Sequence, residues 1–282
     1  AKHWMPVDLY VGGPEHAVGH LLYSRMWNRY LYDKGLAPTK EPYKKLVHQG
    51  MILGENGIKM GKRYPEFAIN PIDVANEYGA DTLRIFEMFI GPLESDKPWS
   101  KQGVEGARKF LERIYRIFEN DKVIDKPNIN LEKIYHQTVK KVTKDFENLA
   151  FNTAISQMMI FINAVYKEEF IPKEYAEGFI KLLNPICPFI TEEIWQMLGH
   201  KGTISYEPWP TYDEEKTVEN EIEIPVQVNG KVRGKVIIKK DAEKDEVEKL
   251  VKSNPDVLKF IDGKEIIKEI YIQNRMFTLV IK

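Results

Sequence analysis

The feature that most constrains the fold is a series of helix-period segments that fills the middle of the chain. From Pro71 onward, apolar residues recur three or four positions apart, which is the spacing of helices that bury one face. The runs cover residues 71–79, 80–90, 104–118, 131–149, 152–168, 175–184 and 191–198. This succession predicts a helical bundle.

The segment before the bundle carries strand and turn signals instead. An extended apolar stretch at residues 7–11 runs into two glycines, and helical spacing follows. Residues 45–53, KLVHQGMIL, predict a buried strand. The Asn56-Gly57 pair after it favours a two-residue hairpin turn. We expect an apolar edge to stay exposed here, because so few strands cannot cover both faces of an α/β sheet.

The segment after the bundle predicts a second, smaller domain. Residues 200–221 contain two prolines and six acidic residues, which indicates a linker. The sequence VQVNGKVRGKV then carries a second Asn-Gly hairpin signal, followed by one or two short helices and a final strand pair. This pattern is typical of a small α+β domain.

Composition limits the partners and the compartment. The 282 residues suggest about two domains, and 41 Lys and Arg against 42 Asp and Glu leave a net charge of −1, so any polyanion must be met by a local cluster. Cys187 is the only cysteine, which excludes an intramolecular disulfide framework and favours a reducing compartment. No apolar run approaches twenty residues. We therefore expect a cytoplasmic protein without a membrane span.

One such cluster follows the first Asn-Gly turn. Lys59, Lys62 and Arg63 surround Gly61 in the sequence KMGKR. A mobile loop of this kind could wrap two ammonium groups around a phosphate chain. It is not a P-loop, because Arg63 stands where that motif needs Ser or Thr. An ordinary solvated turn is an equally good interpretation from spacing alone.

A second candidate site is the sequence GGPEHAVGH. Gly12 and Gly13 precede a helix, where free backbone N–H groups could meet a nucleotide or a carboxylate. His16 and His20 are one helical turn apart, but the zinc motif H-E-x-x-H is absent, so we predict no metal site. Packed histidines are the structural alternative, and Glu15 beside a ribose hydroxyl is the functional one.

Arginines lie along the first bundle helix. Arg108, Arg113 and Arg116 lie along one predicted helix, residues 104–118. Such a row is usually solvated, but it could also hold a phosphate backbone. Cys187 and Trp195 are expected to pack as core residues.

Taken in order, these segments resemble the C-terminal part of the leucyl-tRNA synthetases, a family of class Ia aminoacyl-tRNA synthetases. Residues 4–27, WMPVDLYVGGPEHAVGHLLYSRMW, are similar to the family's last catalytic-domain strand and helix, and QGMIL with KMGKR is similar to its K-M-S-K-S strand and loop. The resemblance extends to NPIDVANEYGADTLRIF, WSKQGVEGARKFLERIYR, LLNPICPFITEEIW and VQVNGKVRGKV. The string GG-x-EHA-x-x-HLLY favours leucine over the valyl, isoleucyl and methionyl relatives.

The resemblance implies a multidomain fold of α/β plus α type. It comprises the C-terminal half of a class I Rossmann catalytic domain, a helical bundle of the anticodon-binding kind and a small α+β domain. The expected divisions are residues 1–68 for the catalytic part, 69–103 for a connecting stem-contact segment, 104–212 for the bundle, 213–221 for the linker and 222–282 for the α+β domain.

The resemblance also implies roles for individual residues. Lys59 and Lys62 match the two lysines of the catalytic loop, whereas Gly61 and Arg63 replace its two serines. The ATP-contacting positions match Gly12, Gly13, Glu15, His20, Met51, Met60 and Lys62. The leucine pocket matches His16 and His20. The residues expected to bind tRNA are Arg108, Arg113, Lys231, Arg233 and Lys235; the last three are expected to alternate onto one face of a strand.

The implied activity is the ATP-dependent activation of leucine, with Mg²⁺ accompanying ATP, and transfer of leucine to tRNA-Leu. The H-I-G-H motif and the editing domain are not in this sequence, so a larger alpha subunit is expected to supply them in a two-chain enzyme that is inactive as separate subunits. A fragment of a single-chain enzyme is the alternative for the chain itself. Two further alternatives are a non-catalytic tRNA-binding protein and a fragment of a valyl, isoleucyl or methionyl enzyme.

Overall fold

A computed structural model describes residues 2–61, 63–218 and 221–282. The helices are α1 (Leu22–Asp33), α2 (Pro71–Tyr78), α3 (Ala80–Phe89), α4 (Lys101–Glu119), α5 (Ile129–Glu147), α6 (Phe151–Val165), α7 (Lys173–Leu183), α8 (Pro188–Met197), α9 (Glu214–Thr217), α10 (Lys244–Ser253) and α11 (Pro255–Ile261). The strands are β1 (Tyr10–Gly12), β2 (Leu46–His48), β3 (Ile52–Leu53), β4 (Lys97–Pro98), β5 (Val123–Ile124), β6 (Ile171–Pro172), β7 (Glu221–Val228), β8 (Lys231–Lys239), β9 (Ile266–Ile272) and β10 (Met276–Ile281). These elements divide into two compact units, Ala1–Lys216 and Thr217–Lys282.

The helical bundle forms where the amphipathic spacing predicts it. Helices α4 to α8 enclose one core to which α3 also contributes, and side chains of α6 such as Met158 and Phe161 are fully buried within it. Ser100 and Asn128 cap α4 and α5 by accepting backbone N–H groups of the first turn. Helices α7 and α5 approach closely at Gly178, where an added Cβ would collide with the Tyr135 hydroxyl.

The first part of the proline- and acid-containing segment at residues 200–221 packs against the bundle. Ile204 is buried, and the Trp209 indole N–H donates a hydrogen bond to the Thr143 hydroxyl of α5 at 2.8 Å. The backbone N–H of Asp213 donates to Nδ1 of His136, also on α5, at 3.1 Å. Proline and acidic content therefore indicated irregular backbone correctly, but it did not indicate that this backbone packs against the helices.

The strand predicted over residues 45–53 forms as two short strands and is not buried. Strand β2 pairs in parallel with β1, and β3 pairs in parallel with β4. The change of partner occurs at Gly50, whose backbone approaches Ser95 so closely that a Cβ would collide with it. The prediction of burial was wrong because β2 has only β1 beside it, and Leu46 remains 42% exposed.

Helix α1 leaves much of its apolar surface uncovered. Asn28 is its only buried residue. Five large apolar side chains are more than half exposed, namely Leu22, Tyr23, Met26, Trp27 and Tyr30. An apolar surface of this size usually marks a contact with another protein segment. The expected exposure of apolar surface in this part of the chain is therefore present.

The C-terminal unit is the predicted α+β domain. Its sheet has the order β8-β7-β10-β9, with β10 parallel to β7 and the other pairs antiparallel. Asn229 and Gly230 have φ values of 49° and 79°, as a two-residue hairpin turn requires. Helices α10 and α11 bury Val247, Val251 and Val257 in the core that they share with the sheet.

Within the described ranges, no helix is both long enough and apolar enough to span a membrane.

Candidate functional site

The cationic loop begins at a turn that contains Asn56 and Gly57, but this turn is a three-residue loop and the predicted two-residue turn was wrong, because only Gly57 of the pair has a positive φ. The Gly54 N–H donates to the Ile58 carbonyl at 2.9 Å, and Leu53 bridges antiparallel to Lys59. Gly57 has a φ of +74°, which favours glycine at this position. Lys59 follows directly on the returning arm, and its side chain is exposed. Lys62, the second predicted catalytic lysine, lies outside the described residues.

Met60 anchors this loop to the rest of the unit. Its side chain is partly buried against the core of the bundle, and its sulfur accepts a hydrogen bond from the Ile69 N–H at 3.4 Å. Gly61, the next residue, has open space around it. Met60 therefore holds the chain in place next to Lys59, whereas the chain at Gly61 has space around it.

The glycine pair at the end of β1 makes a tight turn. Gly12 and Gly13 are both buried. A Cβ at Gly13 would collide with the Glu15 carboxylate, which folds back over the turn. Nδ1 of His16 lies 3.3 Å from the Gly13 carbonyl oxygen. Glycine at position 13 thus permits a close approach between the turn and an acidic side chain.

His20 has a different partner from His16. Its Nδ1 lies 2.8 Å from the Tyr10 hydroxyl, and the two rings stack with centroids 5.5 Å apart. Residues Ala17–Leu21 form a π-helical turn between a short 3-10 helix and α1. Turns of this kind occur often at functional sites. The sequence placed both histidines in regular α-helix and gave no signal for this wider turn.

A cavity of about 400 Å³ brings part of the predicted site together. Gly13, Glu15, Met51, Lys59 and Met60 line it, whereas Gly12, His16 and His20 do not. Its remaining wall consists of Gln49, Gly50, Ile52, Glu87, Met88, Leu93 and Lys97. The loop lysine and the glycine turn, although more than forty residues apart in the sequence, therefore face one space.

Two charged residues in this wall were not found from the sequence. Burial raises the pKa of the Glu87 carboxyl, and nearby Arg84 opposes this effect. Burial also lowers the pKa of Lys97, against the opposing charges of Glu94 and Asp96. Neither residue belongs to a recognisable motif. Glu87 reaches the cavity because it lies near the end of α3, and Lys97 reaches it because β4 pairs with β3.

The arginines of α4 are held by contacts within the protein. Arg108 donates to the Tyr78 carbonyl at 2.7 Å and to Glu112 at 2.9 Å. Arg113 donates to the Asn163 side chain at 2.9 Å, and its guanidinium lies 4.7 Å from the centre of the Tyr166 ring. Both side chains retain exposed surface, so these contacts orient them without enclosing them.

The three cations predicted on β8 do not share one face. A β-bulge between Val226 and Gln227 leaves Arg233 without an opposite residue. Arg233 stacks on the Phe260 ring of α11 at 4.4 Å, whereas the Lys235 ammonium pairs with Glu223 of β7 at 2.7 Å. The expected alternation was wrong because the bulge shifts the register of the strand, and Lys231 remains exposed at the hairpin turn.

Among the residues described, no group of three or more His, Cys, Asp and Glu side chains is arranged to hold a metal ion.

Two family models match this chain. Residues 1–100 match the tRNA synthetases class I (I, L, M and V), and residues 130–249 match the anticodon-binding domain of tRNA ligase. Together the two matches extend over 220 of the 282 residues, so the chain is similar to the class I tRNA synthetases over most of its length. The multidomain fold expected from the resemblance, the C-terminal part of a class I synthetase with an anticodon-binding helical domain, is confirmed.

Solved class I synthetases share this fold. The agnB2 LeuRS of Agrobacterium radiobacter K84, solved in a ternary complex with tRNA and LeuAMS, is 29% identical and superposes with a TM-score of 0.73. That match covers 98% of this chain and 38% of the LeuRS, so the chain spans well under half the length of this relative. The methionyl-tRNA synthetase of Mycobacterium tuberculosis bound by methionyl-adenylate has a TM-score of 0.57 at 14% identity, over 71% of this chain and 46% of that enzyme.

Proposed function

We propose that this chain is the part of a leucyl-tRNA synthetase that carries the mobile catalytic loop and binds tRNA. The observation that carries the proposal is the cavity in which Lys59 and Met60 of the loop meet Gly13, Glu15 and Met51. These are residues that the family resemblance assigns to ATP. The similarity to LeuRS over nearly the whole chain supports leucine as the amino acid.

In the proposed reaction, leucine and ATP with its Mg²⁺ form leucyl-adenylate, and the leucyl group then passes to tRNA-Leu. The leucine carboxylate attacks the α-phosphorus, and pyrophosphate leaves. Lys59 and Lys62 stabilise the negative charge that develops on the phosphates. At an effective dielectric of about 20, a cation about 4 Å from a phosphate charge contributes roughly 4 kcal/mol before desolvation. One lysine can therefore supply much of the stabilisation that lowers the activation barrier.

The cavity and the turn beside it supply the rest of this half-site. The glycine turn lets the nucleotide approach the backbone, and Glu15 accepts a hydrogen bond from the ribose. The Tyr10 hydroxyl fixes the ring of His20 beside the amino-acid pocket. His16 completes that pocket on the other side of the π-helical turn. Gly61, which stands where the motif usually has a serine, gives the loop the freedom to close over ATP.

A second polypeptide segment supplies the remainder of the catalytic domain. The exposed apolar surface of α1 and the two short two-stranded sheets support this proposal, because both would be covered in a complete α/β sheet. We infer that the covering segment is a larger alpha subunit that carries the H-I-G-H motif and the editing domain. The enzyme is then a heterodimer whose active site is shared between the two chains.

The bundle and the C-terminal unit bind tRNA-Leu through phosphates and shape. Arg108 and Arg113 of α4 are oriented for this by their contacts with neighbouring helices. Lys231, Arg233 and Lys235 act from the hairpin of the C-terminal unit, with Arg233 reaching a different surface from Lys235. Deletion of residues 222–282 from the assembled enzyme is expected to reduce tRNA charging and to leave adenylate formation intact.

The deciding experiment is ATP–pyrophosphate exchange by this chain combined with the polypeptide that carries the H-I-G-H motif. We expect exchange that depends on leucine and on both chains. Exchange driven by valine, isoleucine or methionine would reassign the substrate. If no amino acid supports exchange while tRNA still binds, the chain is a non-catalytic tRNA-binding protein and the proposal is wrong.

A further inference from the structure

Lys97 is a buried lysine in the wall of the candidate nucleotide cavity. It lies on β4, where its backbone N–H donates to the Met51 carbonyl at 2.9 Å. Only 9% of the residue is exposed. Its side-chain stem lies across Gly91, where an added Cβ would come within 3.3 Å of the Lys97 Cε. Glycine at position 91 thus leaves the space that this stem fills.

The ammonium group has no charged partner in the part of the chain that the structure describes. Glu94 and Asp96 are close enough to raise its pKa, but neither forms an ion pair with it. One Asp96 oxygen instead accepts the Met51 N–H at 2.7 Å. Glu87 lines the same cavity and also forms no ion pair with Lys97. The residue as a whole is buried, but its ammonium nitrogen is not among the buried, unpaired polar atoms of the described residues, so it keeps access to the cavity and can meet an anion there.

The side chain of Lys97 faces the same space as the loop lysine. Lys59, Lys97 and the glycine turn at Gly13 all line the cavity of about 400 Å³. That volume is in the range of ordinary small-molecule sites. Lys59 approaches from an exposed loop, whereas Lys97 approaches from a strand that is hydrogen-bonded to β3. An anion between the two lysines would be held by the loop on one side and by the strand on the other.

We propose that Lys97 is an additional phosphate-binding residue, which contacts the phosphate chain of ATP and the pyrophosphate formed from it. The proposal rests on the proposed function, because it assigns the cavity to a nucleotide. The ligand chemistry is that of an oligophosphate: it supplies the missing counter-charge to the ammonium group, and the ammonium supplies up to three hydrogen-bond donors.

The position of Lys97 predicts a role different from that of the loop lysines. A group on a fixed strand holds the phosphates equally in the ground state and in the transition state, which lowers KM without raising kcat. Lys59 and Lys62 act on the loop that closes during the reaction, so their loss lowers kcat. Lys97 is therefore a binding residue, and the split between KM and kcat separates its role from theirs.

The test compares Lys97→Met with Lys97→Arg and with Lys101→Met, a control at an exposed lysine at the start of α4. Methionine keeps the stem that packs on Gly91 and removes the charge. The 282-residue chain is titrated calorimetrically with inorganic pyrophosphate, and the thermal unfolding of each variant is recorded. We expect Lys97→Met to bind pyrophosphate at least about tenfold more weakly than the wild-type chain. Lys97→Arg is expected to recover part of the affinity and Lys101→Met to leave it unchanged, with similar unfolding temperatures in all variants.

In the assembled enzyme, Lys97→Met is expected to raise the KM for ATP by a similar factor and to leave kcat nearly unchanged. The inference is wrong if Lys97→Met binds pyrophosphate as tightly as the wild-type chain, or if the wild-type chain does not bind it. These outcomes do not depend on amino-acid activation. A chain that binds pyrophosphate through Lys97 but activates no amino acid would support the inference and contradict the proposed function.

Discussion

Helices α6 and α1 are both amphipathic in sequence, but the apolar face of α6 is buried and that of α1 is largely exposed. Helix α6 buries six residues in the core of the bundle, including Phe161. Helix α1 buries only Asn28 and exposes Met26, Trp27 and their neighbours. Helical spacing therefore predicts that each segment has an apolar face, but it does not tell whether the partner for that face is in the same chain.

The same contrast holds for the regions around these helices. The bundle closes its core with its own side chains, with the help of residues from the preceding α3. The N-terminal region has two sheets of two strands each, and isolated pairs of this kind are marginally stable in water. Stability is therefore expected to reside in the bundle, and the chemistry of the proposed active site in a region that needs further support.

The largest expected effect is on the stability of the bundle. Phe161→Ala removes a fully buried ring and is expected to lower the free energy of unfolding by about 3–5 kcal/mol. Trp27→Ala, at a side chain that is 58% exposed, is expected to change it by less than about 0.5 kcal/mol in the isolated chain. Urea unfolding followed by circular dichroism measures both. Equal decreases in the free energy of unfolding would contradict the contrast, because they would mean that Trp27 packs as firmly within this chain as Phe161 does.

The next effect is on assembly. Trp27→Asp places a charge in the exposed apolar surface of α1 and is expected to weaken binding of the polypeptide that completes the catalytic domain by about 2 kcal/mol or more. Ile129→Asp is the matched control, because Ile129 is 78% exposed at the start of α5 in the bundle. If both variants bind the partner like the wild type, the surface of α1 is not the contact.

The smallest effect is a pH dependence of bundle stability. Burial, together with the charge of Lys216, lowers the pKa of His136. The unfolded chain therefore protonates His136 at a higher pH than the folded chain does. The contribution of neutral His136 to the free energy of unfolding is complete above about pH 6.5 and is lost as the pH falls below this value. Protonation also removes the hydrogen bond that Nδ1 accepts from Asp213.

His136→Gln is expected to flatten the decline in unfolding free energy between pH 7.5 and pH 5, with a total change smaller than that in Phe161→Ala. Chemical unfolding at a series of pH values measures it. An unchanged slope in the variant would assign the pH dependence to another group.

Local features of the fold were predictable because they depend on short stretches of sequence. The spacing of apolar residues located helices α2 to α8, and Asn-Gly located both turns. The resemblance pointed to the class I synthetases, because the motif residues GG-x-EHA and KMGKR are unusual enough to be specific. Of the residues it singled out, Gly13, Glu15, Met51, Lys59 and Met60 line the cavity, whereas Gly12, His16 and His20 do not.

Features that depend on partners distant in sequence were not predictable. The break at Gly50 depends on Ser95, and the exposed position of Leu46 depends on β2 having only β1 as a neighbouring strand. The separation of Arg233 from Lys235 depends on a bulge, for which Gly234 beside it is the only local sequence signal, because an isolated glycine within a strand often marks a bulge. Lys97 and Glu87 belong to no motif and reach the cavity only through the folding of their elements.

The most direct test of the account is the leucine-dependent ATP–pyrophosphate exchange of the complete enzyme with Lys59→Ala or Lys62→Ala in this chain. We expect each variant to assemble normally and at least one to lose about 10²–10³-fold in kcat, the usual cost of removing a group that stabilises transition-state charge. Wild-type exchange rates in both variants would contradict the claim that this loop acts on the phosphates of ATP.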